Sequence, residues 1–201
     1  SGNIHRITPN GESTIFTNTG GYPNALQFDR EGHLWLADCK LGICIVDAEG
    51  HVKVVVDSFE GKRINGPNDL YFDLAGNLFF TDPGMDNDRR PGNVFCLRLD
   101  GSLVRLAQGM DFPNGIAATY DGQILFVAET YKKVIHQFKI DDDKNLIDRR
   151  VWAKLPEGGI GPDGIDIDEA GNLLVAYFDA STVEVFNPKG VHIETVEIHG
   201  E

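Results

Sequence analysis

The chain has 201 residues, room for one or two small domains. Its 31 acidic residues against 18 basic ones give a formal net charge of −13, which sets it against nucleic acids and anionic membrane surfaces and suits cations or small, weakly charged ligands. With 41% hydrophobic and 24% charged residues, the composition is that of a packed globular domain and excludes gross disorder.

Ser1-Gly2-Asn3 shows no leader-like pattern and reads as a chain entered mid-fold. Asn3 to Phe16 reads as two outer strands around the turn Pro9-Asn10-Gly11. A longer unit then follows four times. Tyr22-Pro23-Asn24 leads to Glu31-Gly32-His33-Leu34 and on to Asp38. Gly66-Pro67-Asn68-Asp69 leads to Ala75-Gly76-Asn77-Leu78 and Asp82. Phe112-Pro113-Asn114-Gly115 leads to Asp121-Gly122 and Glu129. Gly161-Pro162-Asp163-Gly164 leads to Ala170-Gly171-Asn172-Leu173 and Tyr177. Each copy is an alternating apolar run, a glycine turn and a second run, which predicts a β-hairpin.

The Asn/Asp positions 24, 68, 114 and 163 are spaced by 44, 46 and 49 residues. A period of ~40–50 residues built from short strands is that of a β-propeller with four strands per blade. No segment sustains the 3.6-residue apolar period of helical repeats. The expectation is therefore an all-β chain forming one propeller domain over residues 1–201, with blades near 22–60, 66–109, 112–155 and 161–198. That is about four and a half blades, so the ring is expected to be partial or to be closed by a partner chain.

Repetition sets Asn24, Asn68, Asn114 and Asp163 at one level, on the innermost strands, at one mouth of the channel. The antiparallel second strands return to that mouth carrying Asp38, Asp82, Glu129 and Tyr177. An inward ring of amide and carboxylate oxygens suits a hard cation such as Ca²⁺. The competing reading is that Asn or Asp after Pro merely forms an Asx-turn, and it fits Asn24 best. Asp69 is expected to point into the same cup or to cap its own turn.

Other signals point to solvent or core. Cys39, Cys44 and Cys96 form no disulfide framework or zinc spacing and read as packed free thiols, which with the absent leader points to the cytoplasm. The longest apolar run, Leu173 to Phe178, is far below the ~18 residues of a membrane span. Asp141-Asp142-Asp143-Lys144 lacks EF-hand spacing and reads as a solvated turn. Pro83 to Gly92 reads as a loop at the mouth whose charged tip is solvated, with contact of Asp86 or Arg89 to ligand hydroxyls as the alternative. The six histidines share no motif, and no Gly-x-Ser-x-Gly elbow or phosphate-binding loop is present.

The Gly66-Pro67-Asn68-Asp69, Phe80-Thr81-Asp82-Pro83, Phe112-Pro113-Asn114-Gly115 and Gly161-Pro162-Asp163-Gly164 segments resemble the senescence-marker-protein/gluconolactonase (regucalcin-like) family. That family lies within the calcium-dependent six-bladed propellers that include paraoxonases and diisopropyl-fluorophosphatase. The resemblance implies one divalent cation, Ca²⁺ first and Mg²⁺, Mn²⁺ or Zn²⁺ as alternatives. It implies Asn68, Asn114 and Asp163 as ligands, and a family Glu upstream of Ser1. It also implies hydrolysis of a small lactone or ester, with the metal polarising the carbonyl for attack by water and Asp163 handling the proton. Asp69 is the second catalytic candidate. Lactone-specific relatives carry Arg where this chain has Gly66. Two other readings stand beside this one, a non-catalytic NHL-like binding propeller and a metal-free strictosidine-synthase-like one.

Overall fold

A computed structural model describes residues 1–84 and 91–199. Twenty strands account for nearly all of its regular structure. β1 (Asn3–Ile7) and β2 (Ser13–Asn18) form a two-stranded unit. The first four-stranded sheet holds β3 (Pro23–Phe28), β4 (Leu34–Asp38), β5 (Gly42–Val46) and β6 (Val52–Val56). A small hairpin follows, of β7 (Ser58–Phe59) and β8 (Lys62–Arg63). The second sheet holds β9 (Leu70–Phe72), β10 (Leu78–Asp82), β11 (Gly92–Leu97) and β12 (Leu103–Met110). The third holds β13 (Pro113–Ala118), β14 (Ile124–Glu129), β15 (Val134–Ile140) and β16 (Leu146–Lys154). The fourth holds β17 (Gly161–Ile167), β18 (Leu173–Phe178), β19 (Thr182–Phe186) and β20 (His192–Glu197). In each sheet the strands lie in chain order and pair antiparallel, giving four blades of a β-propeller.

One turn chemistry recurs at the blade hairpins. In Asp73-Leu74-Ala75-Gly76-Asn77, Asp73 Oδ1 accepts the N–H groups of Ala75 and Asn77, and its Oδ2 accepts Asn77 Nδ2. Asp168 and Asn172 repeat the pattern, and His33 and His51 take the asparagine's place opposite Asp29 and Asp47. The carboxylate replaces a strand partner for main-chain donors at the bend. Asp141 and Asn145 form the same closure, as expected of a solvated turn.

Between the blades lie apolar layers. Phe79, Val94, Cys96 and Met110 of the second blade meet Ile116, Leu125, Val127 and Phe138 of the third. Phe126, Ala128 and Ile135 of the third meet Leu173, Val175 and Phe186 of the fourth. Cys44 and Cys96 are fully buried, and the three cysteines are free. At the two ends of the row, apolar side chains such as Phe28 on β3 and Ile193 on β20 face solvent.

Inner strands of adjoining blades approach closely because glycine leaves room. A Cβ on Gly161 would lie 1.9 Å from the Thr130 carbonyl oxygen, and one on Gly115 would lie 2.4 Å from that of Asp163. Gly161→Ala is therefore expected to destabilise the protein by ~1–3 kcal/mol or more, since main-chain atoms on both sides must separate. Gly164→Ala, whose Cβ would meet open space, should leave stability unchanged. Urea unfolding of the two variants checks this, and equal midpoints would refute it.

Candidate metal and substrate site

Local bulges aim the inner-strand side chains. The pairing register shifts between Pro23 and Ala25, between Pro113 and Ile116, and between Pro162 and Ile165. An extra residue at this point bends the strand and re-aims the side chain. Asn24, Asn114 and Asp163 occupy these three bulges. In the second blade, Asn68 N–H donates to Thr81 O at 3.0 Å and Thr81 N–H donates to Asp69 O, extending the ladder to the same level.

The four positions differ in what they contact. Asn24 is exposed, and its Nδ2 donates to the main-chain oxygen of Asn68 at 3.1 Å, so it braces a neighbour. Asn68 is 8% exposed, and its carboxamide bonds no other described residue. Asn114 is 5% exposed, and its Nδ2 donates to Thr130 Oγ1 at 3.2 Å, leaving Oδ1 free of protein donors among the described residues. Asp163 is half-buried, and its main chain packs against Gly115.

Asp69 spans two blades. Its Oδ1 accepts the N–H of Leu70 and its Oδ2 the N–H of Ile116, both at 2.9 Å. Burial pushes its carboxyl up to about 6, against the lowering effect of those two hydrogen bonds, and the nearby charges of Asp163 and Asp166 add to the rise. Its two oxygens thus join its own strand to β13. It ties into β13 two residues beyond Asn114.

A set of donors that sequence reasoning passed over joins each blade to the next. Cys39 Sγ donates to Pro67 O at 3.4 Å, Thr81 Oγ1 to Asn114 O at 2.7 Å, and Thr130 Oγ1 to Pro162 O at 2.8 Å. Each donor lies at or just after the end of a second strand, and each acceptor is the carbonyl of a candidate ligand or of the residue before it. The available signal was the pair Asp38-Cys39 matched by Glu129-Thr130 at equivalent positions.

These contacts arrange two amides and a carboxylate from three consecutive blades along adjoining inner strands. The whole chain, residues 1–201, matches the SMP-30/Gluconolactonase/LRE-like region. The chain belongs to the SMP-30/gluconolactonase/LRE-like family. Among relatives, it is 36% identical over 190 residues to a diisopropyl-fluorophosphatase of Loligo vulgaris, covering 85% of this chain and 60% of that protein. A solved gluconolactonase of Xanthomonas campestris superposes with a TM-score of 0.86 at 30% identity, covering 98% of this chain and 69% of the other. A calcium-binding regucalcin of Agrobacterium tumefaciens shares the fold, with a TM-score of 0.85 at 20% identity over 99% of this chain and 68% of that one. This family member spans about 60% of the length of the curated relative from Loligo vulgaris.

The second-strand carboxylates differ from their expected part in an oxygen ring. Asp38 Oδ1 accepts the N–H groups of Tyr22, Lys40 and Leu41, and its Oδ2 accepts Thr19 Oγ1. Asp82 accepts Asn65 N–H, and Tyr177 donates its hydroxyl to Pro156 O. Glu129 accepts Asp111 N–H at 2.6 Å and lies 2.5 Å from His136 Nε2, with Arg149 at 3.5 Å. These loops have main-chain donors without strand partners, and the carboxylates satisfy them. The loop positions Asp86 and Arg89 lie outside the described residues.

The grouping Asp47, Glu49 and His51 is the nearest thing to a His/Cys/Asp/Glu metal cluster among the described residues, yet it is one of the closed hairpin turns and fully exposed. Among the described residues, no helix is long and apolar enough to cross a membrane.

Burial raises the Glu129 carboxyl, but hydrogen bonds from His136 and Asp111 N–H, with the charges of His136 and Arg149, outweigh it and hold the group below its ordinary range. A folded-state value below the unfolded one gives stability that is present at neutral pH and lost as pH falls through the folded value. Glu129→Gln should therefore cost about 2–4 kcal/mol at pH 7, as removal of one member of a buried ion pair does. The difference from wild type should shrink as pH falls through the lowered folded-state value, where the wild-type group also protonates. Denaturant melts between pH 7 and pH 3 measure both, and a pH-independent difference would refute the assignment.

Proposed function

We propose that this chain carries the catalytic face of a metal-dependent hydrolase that opens a small lactone, with Asn68, Asn114 and Asp163 as ligands of one divalent cation, calcium first. The observation that carries this reading is the pair of nearly buried carboxamides, Asn68 and Asn114, whose oxygens lack protein donors among the described residues, beside the Asp163 strand. Amide oxygens that no protein donor occupies are free to coordinate, and they suit a hard, oxygen-seeking cation. When bound, that cation supplies Lewis-acid polarisation of the lactone carbonyl.

The residues of the chain do the rest. Asp163, half-buried and adjoining Asn114, accepts the proton of the attacking water. Asp69 has both oxygens engaged with main-chain N–H groups, so its part is to hold the Asn114 strand and to add negative charge near Asp163. Asn24 braces the Asn68 peptide. Gly66, with φ of 97°, gives the tight bend before Asn68 and leaves no side chain over the approach. Gluconolactonase relatives support the lactone, and the diisopropyl-fluorophosphatase relative supports a hydrolase more broadly.

Calcium at about 100 times its dissociation constant should stabilise the protein by ~2.7 kcal/mol, which for this size is a rise in Tm of roughly 5–10 °C. Asp163→Ala should abolish both that rise and the release of acid from gluconolactone. A flat calcium response with turnover intact in Asp163→Ala would overturn the reading in favour of a metal-free propeller.

A further inference from the structure

We propose that Thr130 is a positioning residue that decides which atom of the Asn114 carboxamide faces the cation site, and that it locks Asn114 to the strand of Asp163. The proposal rests on the reading of Asn114 and Asp163 as ligands. Its geometry stands on three groups. Thr130 is 3% exposed and sits at the start of the 3₁₀ turn Thr130–Lys132 that follows β14. Its main-chain N–H donates to Phe112 O at 3.0 Å, and its carbonyl accepts Lys133 N–H. The side chain is therefore fixed against the segment that carries Asn114.

A hydroxyl has a single proton and two acceptor lone pairs. Thr130 gives that proton to Pro162 O at 2.8 Å, on the peptide that precedes Asp163. Only lone pairs remain for Asn114, so the group that Asn114 turns to Thr130 is its NH₂, at 3.2 Å. Oδ1 is thereby left on the other side. With the carboxamide reversed, oxygen would face oxygen in a site closed to water, at the cost of an unmade buried hydrogen bond. One hydroxyl thus fixes the donor atom of one proposed ligand and the main chain beside another.

Cys39 and Thr81 make comparable links between blades, to Pro67 O and Asn114 O, and Thr81 Oγ1 also accepts Asp69 N–H at 3.1 Å, so among the described residues both touch main-chain groups and no proposed ligand side chain. They provide the comparison for separating positioning from plain stabilisation. Valine at 130 keeps the shape and removes the hydroxyl, and serine restores the hydroxyl.

Calorimetric titration with calcium chloride, on wild type and on Thr130→Val, Thr130→Ser and Thr81→Val, tests the proposal. Loss of one hydrogen bond's ordering should weaken calcium binding about three- to tenfold in Thr130→Val. Thr130→Ser should stay within about twofold of wild type. Thr81→Val should lower Tm while changing calcium affinity less than Thr130→Val does. If Thr130→Val does not fold, Thr130→Ala replaces it, with the same expected weakening. Calcium affinity unchanged in the hydroxyl-free variant overturns the proposal and leaves the ligand reading standing. A metal-free readout separates the opposite failure, because the side-chain NH₂ protons of Asn114 should be protected from exchange in wild type and lose that protection in Thr130→Val. If wild type binds no calcium but the protection is lost as stated, the ligand reading falls and the orienting role stands. If the protection is the same in both proteins, the orienting role falls.

Discussion

Neighbouring blades of a propeller do not share a sheet ladder, so the inner strands meet with main-chain polar groups that must find partners from side chains. Four side-chain donors among the described residues meet that demand here, from Asn24 to Asn68 O, from Cys39 to Pro67 O, from Thr81 to Asn114 O and from Thr130 to Pro162 O. Each such bond contributes only about 1 kcal/mol net, but leaving its buried acceptor unpaired costs ~1–3 kcal/mol. The arrangement is therefore strongly favoured. Its consequence is directional, because each blade fixes the segment of the blade after it that carries a proposed ligand. The geometry of the site is thus a property of the blade sequence around the axis and of no single hairpin.

Close approach makes those bonds possible. Gly161 lets β17 come within reach of Thr130, and Gly115 lets β13 lie against the main chain of Asp163. The apolar layers between blades set the spacing, with Phe79 and Val127 in one layer and Phe126 and Phe186 in the next. Buried carboxylates then hold the loops that lead into each inner strand. Asp38 gathers the donors around Tyr22, and Glu129 holds Asp111 ahead of Phe112. Phe112 itself sits at φ of 64°, an unfavourable backbone region for a bulky side chain, and this loop is the one that Glu129 and Thr130 pin at both ends.

The blades were legible in the sequence because the hairpins depend on local chemistry. Alternation, a glycine and, at five of the turns, an Asp four residues before Asn or His specify the bends, and the Pro-Asn/Asp motif repeats at blade spacing. What alternation cannot tell is what a polar side chain finds once its strand is in place. Asp38 and Glu129 were expected among the rim oxygens because their strands return to the mouth, yet they accept main-chain N–H groups of the adjoining loops. His136 seemed isolated because its partner Glu129 comes from the neighbouring strand, seven residues back along the chain. Thr130 looked like any threonine at a strand end, since its two partners lie 16 and 32 residues away.

Charge separates the turn carboxylates from those at the mouth. Main-chain donation from His51 and Asn145 holds Asp47 and Asp141 below the ordinary carboxylate range, and the Asn172 side chain does the same for Asp168. These groups are satisfied by their own turns and gain little from a cation. Asp69 moves the other way, raised to about 6 by burial and then by Asp163 and Asp166, even though both its oxygens accept hydrogen bonds. A fold that draws like charges together while it removes water from them stores unfavourable electrostatic energy. A divalent ion held by Asn68, Asn114 and Asp163 would offset that cost directly, because two of the three ligands are neutral and the surplus negative charge lies just behind them. The same argument disfavours the Asp47, Glu49 and His51 turn as a cation site, despite its closer grouping of ligand types. Unfavourable charge around Asp69 and Asp163 supports the proposed site better than the number of acidic residues within reach of one another does elsewhere.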